Sequence, residues 1–121
     1  MPYITLEYTN NIKKKDFKPL FEELKNQLVA TGEVQELGVK CRAVPSTDYF
    51  IAGGNSNYKM VHLLFRMREG RSLEVRQNFS KIGLSVLEKY FEKEILAKEI
   101  ILSTEVKELI KDLDLLKNAI R

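Results

Sequence analysis

Tryptophan is absent from this sequence, which also holds only one cysteine, one histidine, three prolines and six glycines. Each shortage closes a route. A lone Cys41 permits no internal disulfide and no cysteine-based metal site, which suits a reducing compartment. His62 is the only histidine, so no Ser/His/Asp or Cys/His constellation assembles without another base; between Val61 and Leu63, on the less buried face of a strand, it reads as structural. No apolar run approaches the roughly 18 residues that cross a membrane, and the N-terminus lacks the charged-then-apolar layout of a signal peptide. The expectation is a cytoplasmic protein. Charge of one sign is also scarce in excess: 20 Lys and Arg stand against 17 Asp and Glu, a net charge of +3. The run Lys13-Lys14-Lys15 reads as a solvated loop. Without an aromatic-basic RNA motif, a zinc finger or a basic helix, nucleic acid is not the expected partner; a small anion fits better. Gly53-Gly54 lacks the glycine and lysine of a phosphate-binding loop, and no metal cluster or cofactor motif is visible. Asn78-Phe79-Ser80 matches a glycosylation acceptor but lies in a helical pattern, where the match is chance.

What remains is enough for one domain with a modest core: 121 residues, 44% hydrophobic and 31% charged. Residues 2–9 alternate, with Ile4, Leu6 and Tyr8 on one face and Tyr3, Thr5 and Glu7 on the other, as a strand does. Asp16 offers an N-cap, Pro19 sits in a first turn, and Phe17, Leu20, Phe21, Leu24 and Leu28 keep helical spacing to about Ala30, where Gly32 can close the helix. A strand follows from Gly38 to Val44, with Lys40 and Arg42 on one face and Val39, Cys41 and Ala43 on the other. Tyr49 to Ala52 reads as a short strand and Tyr58 to Met67 as a longer one. Ser72 and Glu74 start a second helix reaching about Lys93, Glu99 to Val106 is a strand again, and Leu109 to Ile120 reads as a short C-terminal helix.

The order is an internal repeat of a βαβ unit, about 2–57 and 58–108, with the C-terminal helix at about 109–120. Ile4 and Leu6 correspond to Val61 and Leu63, and the strand at Val39 to that at Ile100. Strands joined through a helix run parallel with a right-handed crossover. The fold class expected is α+β: two tandem βαβ units forming a four-stranded sheet with two helices on one face. The other face needs covering, and oligomerisation is the natural answer.

Pro2 stands directly behind Met1, at the head of the first alternating run. If Met1 is removed, the chain begins with a secondary amine. Burial and positive neighbours disfavour the charged form of such a group, so it can serve as a general base near neutral pH. Many chains start Met-Pro only because a small second residue permits methionine removal.

A βαβ duplication opening on Pro2-Tyr3-Ile4-Thr5-Leu6-Glu7 resembles the tautomerase superfamily. Asn11-Ile12, Ala30-Thr31-Gly32, Val61-His62 and above all Gly70-Arg71-Ser72-Leu73-Glu74-x-Arg76-Gln77 sharpen the resemblance to its 5-carboxymethyl-2-hydroxymuconate Δ-isomerase family, from Pro2 to about Glu108. That resemblance implies a cofactor-free isomerase or tautomerase of aromatic catabolism acting on an anionic dienol or unsaturated 2-oxo acid, and a homotrimer. It implies Pro2 as proton acceptor and donor, and arginines that hold carboxylates. Pro2, Arg71 and Arg42 match the pattern; Lys40 stands where an arginine is expected, and a lysine offers a point charge without the bidentate fork. Two rivals stand beside this reading: another reaction of the superfamily, such as hydration or dehalogenation, and a non-catalytic trimeric binding module on the same fold.

Overall fold

The computed structural model describes residues 2–13 and 16–121. The fate of Met1 and the loop reading of Lys14 and Lys15 lie outside the described residues. Strand β1 (Tyr3–Thr9) leads into helix α1 (Lys18–Ala30), a single 3-10 turn (Glu36–Gly38) and strand β2 (Lys40–Ser46). Strand β3 (Lys59–Arg68), helix α2 (Leu73–Tyr90), a short helix α3 (Glu92–Leu96) and strand β4 (Ile100–Leu109) repeat the pattern. The sheet order is β2-β1-β3-β4. Each unit contributes a parallel pair, β1 with β2 and β3 with β4, and the units join through the antiparallel pair of β1 with β3. Leu6 faces Leu63 across that join, while Ile4 faces Phe65 and Tyr8 faces Val61, so equivalent residues of the two units are related by an approximate two-fold.

One sheet face is the core. Ile4 and Leu6 of β1 and Val61, Leu63, Phe65 and Met67 of β3 are buried against Leu20, Leu24 and Leu28 of α1 and Phe79, Val86 and Leu87 of α2. The strand alternation and the helical spacing in the sequence therefore meet on the same surface. Pro19 lies in the first turn of α1, and Asp16 Oδ1 accepts the Lys18 amide at 3.2 Å, although Phe17 rather than Asp16 occupies the cap position. Gly32, at a φ of 81°, turns the chain out of α1. Pro45 is tolerated because β2 is an edge strand.

Two expected elements do not form. Tyr49–Ala52 is a loop: Ile51 is buried as an anchor, its carbonyl accepts the Gly54 amide at 2.8 Å, and Ala52 takes a φ of 51°, which breaks a strand. The C-terminal helix expected over 109–120 is also absent. Leu109 ends β4, the Leu113 and Asp114 amides close a single turn on the Ile110 carbonyl, and the rest has no regular structure. With Leu113, Leu115 and Ile120 exposed, no apolar stripe packs on the core, and a helix this short is marginal without one.

Candidate active site

The face opposite the helices has no element over it among the described residues. Pro2 directly precedes β1, at one end of the sheet. It is buried, and its carbonyl accepts the Lys40 amide at 3.2 Å, which fastens the chain start to the first residue of β2. The parallel register places Lys40 beside Tyr3 and Arg42 beside Thr5, and the antiparallel register places Arg66 on the other side of Tyr3. Lys40 Nζ stands 4.1 Å from the Tyr3 ring centroid and Arg66 Cζ 5.5 Å from it. Both cations lie within the distance at which a ring face attracts them. Lys40 Nζ also donates to the Gly38 carbonyl at 3.2 Å. A depression of about 260 Å³ is lined here by Tyr3, Ile4, Thr5, Lys40, Cys41 and Arg42. The shared face of Lys40 and Arg42 that the alternation indicated is thus present, one residue from Pro2.

Burial pulls the Lys40 ammonium below the ordinary lysine value, and the charge of Asp114 opposes that shift. Burial also pushes the Cys41 thiol up to about 11, so it stays protonated and unreactive near neutral pH. The depression therefore offers fixed positive charge against an apolar wall, which suits a planar anion.

Arg71 stands elsewhere. The loop into α2 passes through Gly70 at a φ of 121°, and Ser72 caps the helix by accepting the Val75 amide at 3.2 Å, so Arg71 does sit at a helix start. Its guanidinium, however, donates to the Glu33 carbonyl at 2.9 Å and to the Arg68 carbonyl at 3.5 Å, and stands 5.9 Å from the Phe79 ring. Arg71 does not line the depression that holds Lys40 and Arg42. Its Nε is buried with no hydrogen-bond partner among the described residues.

Sequence reasoning missed three charged groups at the Pro2 end. Arg66 and Arg68 follow the period-two pattern of β3 and share the uncovered face with Lys40, a signal that was readable. Asp114 had no local signal. Arg68 Nη2 donates to the Asp114 carbonyl at 2.8 Å, and Asp114 Oδ2 lies 3.6 Å from the same nitrogen. His62 has both ring nitrogens engaged, Nδ1 with Ser103 Oγ at 2.6 Å and Nε2 with Glu105 Oε1 at 2.8 Å, in keeping with a structural role.

Known proteins place this arrangement in context. The family model described as 5-carboxymethyl-2-hydroxymuconate isomerase matches residues 2–121. A 5-carboxymethyl-2-hydroxymuconate Delta-isomerase of Escherichia coli is 29% identical over 119 residues, covering 98% of this chain and 94% of that protein. The crystal structure of a 5-carboxymethyl-2-hydroxymuconate isomerase from Deinococcus radiodurans R1 superposes with a TM-score of 0.88 at 28% identity, over 97% of this chain and 89% of that one. A fused 4-OT symmetric trimer, at 12% identity, shares the fold with a TM-score of 0.72 over 96% and 92% of the two chains.

Proposed function

We propose, from the premise that this chain belongs to the 5-carboxymethyl-2-hydroxymuconate isomerase family, that it is an isomerase that moves a proton along an anionic dienol or unsaturated 2-oxo acid with Pro2 as its base. Isomerase chemistry follows from the family; the proline mechanism, the substrate class, the homotrimer and the cytoplasmic setting are the parts proposed. The observation that carries the mechanism is the position of Pro2: buried, tied to Lys40, and directly before Tyr3, which lines the depression together with Lys40 and Arg42. Once Met1 is removed, the free amine takes a proton from the substrate's 2-hydroxyl or from a carbon of the conjugated chain. The electrons shift through the π system, and the ammonium returns the proton at another carbon. No redox partner is needed, and atoms balance within one substrate molecule. Lys40 and Arg42 neutralise a carboxylate and the charge growing on oxygen, where preorganised cations are most effective. Burial and these neighbours favour the neutral amine, the form that accepts a proton.

Arg71 enters this reading as a second carboxylate-binding group. Its guanidinium is engaged by carbonyls of its own chain, so it would act on substrate from a partly satisfied state, or across a boundary with another copy. The same observation, with Lys40 in place of an arginine, favours a second reading: a binding module that keeps the fold without turnover. A panel of dienols followed by ultraviolet absorbance separates the two. Turnover that disappears when Pro2 is blocked supports the isomerase; saturable binding without turnover by verified Pro2-initiated protein supports the module.

A further inference from the structure

The residues after β4 run past the Pro2 end of the sheet. The Lys111 amide donates to Glu69 Oε2 at 2.9 Å, Arg68 holds the Asp114 carbonyl, Asn118 Nδ2 donates to the Leu37 carbonyl at 2.9 Å, and Arg121 reaches Gln35. This strap carries Asp114 to Arg68, and the Asp114 charge is also felt by Lys40. We propose that Asp114 is a specificity-determining residue, an internal carboxylate that occupies the Arg68 guanidinium and that a substrate carboxylate must displace. The inference rests on the reading of Lys40 as an anion-binding residue.

Two independent features make the contact displaceable. The first is its geometry. Asp114 Oδ2 lies 3.6 Å from Arg68 Nη2, too far for a hydrogen bond. That oxygen and Arg68 Nε are both buried without a hydrogen-bond partner among the described residues. An unmet acceptor thus stands beside an unmet donor. A carboxylate free to choose its approach would meet the guanidinium with two parallel hydrogen bonds, as the strap does not. The second is the strap's packing. Leu113 is 79% exposed and Leu115 86%, so little apolar surface holds the strap in place, and segments of this kind open at low cost. Asp114→Asn removes the competing charge but keeps the carbonyl that Arg68 holds, so the tether survives.

The test uses adipate, an unreactive dicarboxylate, titrated calorimetrically into the full-length parent, Asp114→Asn and Lys40→Gln. If the Asp114 carboxylate occupies the site about nine-tenths of the time, Asp114→Asn should bind adipate roughly tenfold more tightly than the parent, since apparent affinity scales with the competent fraction. In the parent, saturating adipate should speed hydrogen exchange of the Lys111 and Ile120 amides, a readout that needs no variant. Equal affinity of the parent and Asp114→Asn, with binding still weakened by Lys40→Gln, would overturn the strap and leave the anion site standing. Unaltered exchange at those amides under saturating adipate overturns the strap as well. Adipate that binds no variant, or is indifferent to Lys40→Gln, overturns the anion-site reading and the strap with it.

Discussion

Lys40 and Arg71 would share the proposed anion binding unequally. Lys40 lines the depression with Tyr3 and Arg42, whereas Arg71 is anchored on the Glu33 and Arg68 carbonyls. Lys40→Arg, which adds a bidentate fork at the depression, should leave turnover of a dicarboxylate dienol unchanged or raise it, read from kcat/KM. Arg71→Ala should lower kcat/KM by roughly 30- to 1000-fold, the loss of an arginine–carboxylate contact at a partly desolvated site. Because its guanidinium also ties the loop at Glu33 to the end of β3, the same change should cost about 1–2 kcal/mol in denaturant unfolding. Parent rates on every dienol would remove Arg71 from the site. Cys41 gives a pH prediction. Its pKa is raised from 9.0 to about 11, so its contribution to stability is fully present below pH 9 and is lost as pH climbs toward 11. Stability measured across that window should fall less steeply in Cys41→Ala than in the parent; identical slopes would show that the thiol is not buried in solution. Pro2, Lys40 and Arg42 were legible from a chain position and a strand period. Asp114 was not, since its neighbours depend on the route of a segment without regular structure.

At the scale of elements, strands and long helices were readable because period two and period 3.6 converge on one buried surface. Leu6 and Leu63, equivalent in the two units, meet across their join. The failures share a cause. The segments 49–52 and 109–120 have apolar residues at suggestive spacings, but Ile51 is a single anchor and the tail leucines have no surface to bury against. Spacing alone cannot tell an anchor from a stripe. Helix α2 makes a sharper claim. Gly83 faces the sheet so closely that an added Cβ would lie 2.8 Å from Phe65 Cε2 and 3.0 Å from Leu63 Cδ2. Phe65 and Leu63 are fully buried and cannot retreat. Alanine is the better helix former by about 1 kcal/mol, yet overpacking costs roughly 1–3 kcal/mol. Gly83→Ala should therefore destabilise the protein, and a gain in melting temperature would show that the α2–sheet contact is looser than it stands here.

Among the described residues one sheet face is uncovered, with Ile101 55% exposed on it. A second and third copy would cover that face, and the trimer proposed here should scatter light as three chains of 14.0 kDa, about 42 kDa. A clean monomer at micromolar concentration would count against that assembly. The central claim, however, is chemical: the proton is carried by a free proline amine at the start of β1. One comparison isolates it. The same chain is prepared in two forms, both verified by intact mass, one beginning at Pro2 and one retaining Met1, which turns the amine into an amide without altering any side chain beyond position 1. Dienol turnover is followed by ultraviolet absorbance under identical conditions. A proline base predicts that the Pro2-initiated form turns over substrate at least about a hundredfold faster, the usual contribution of a positioned base. Equal rates in the two forms would contradict it.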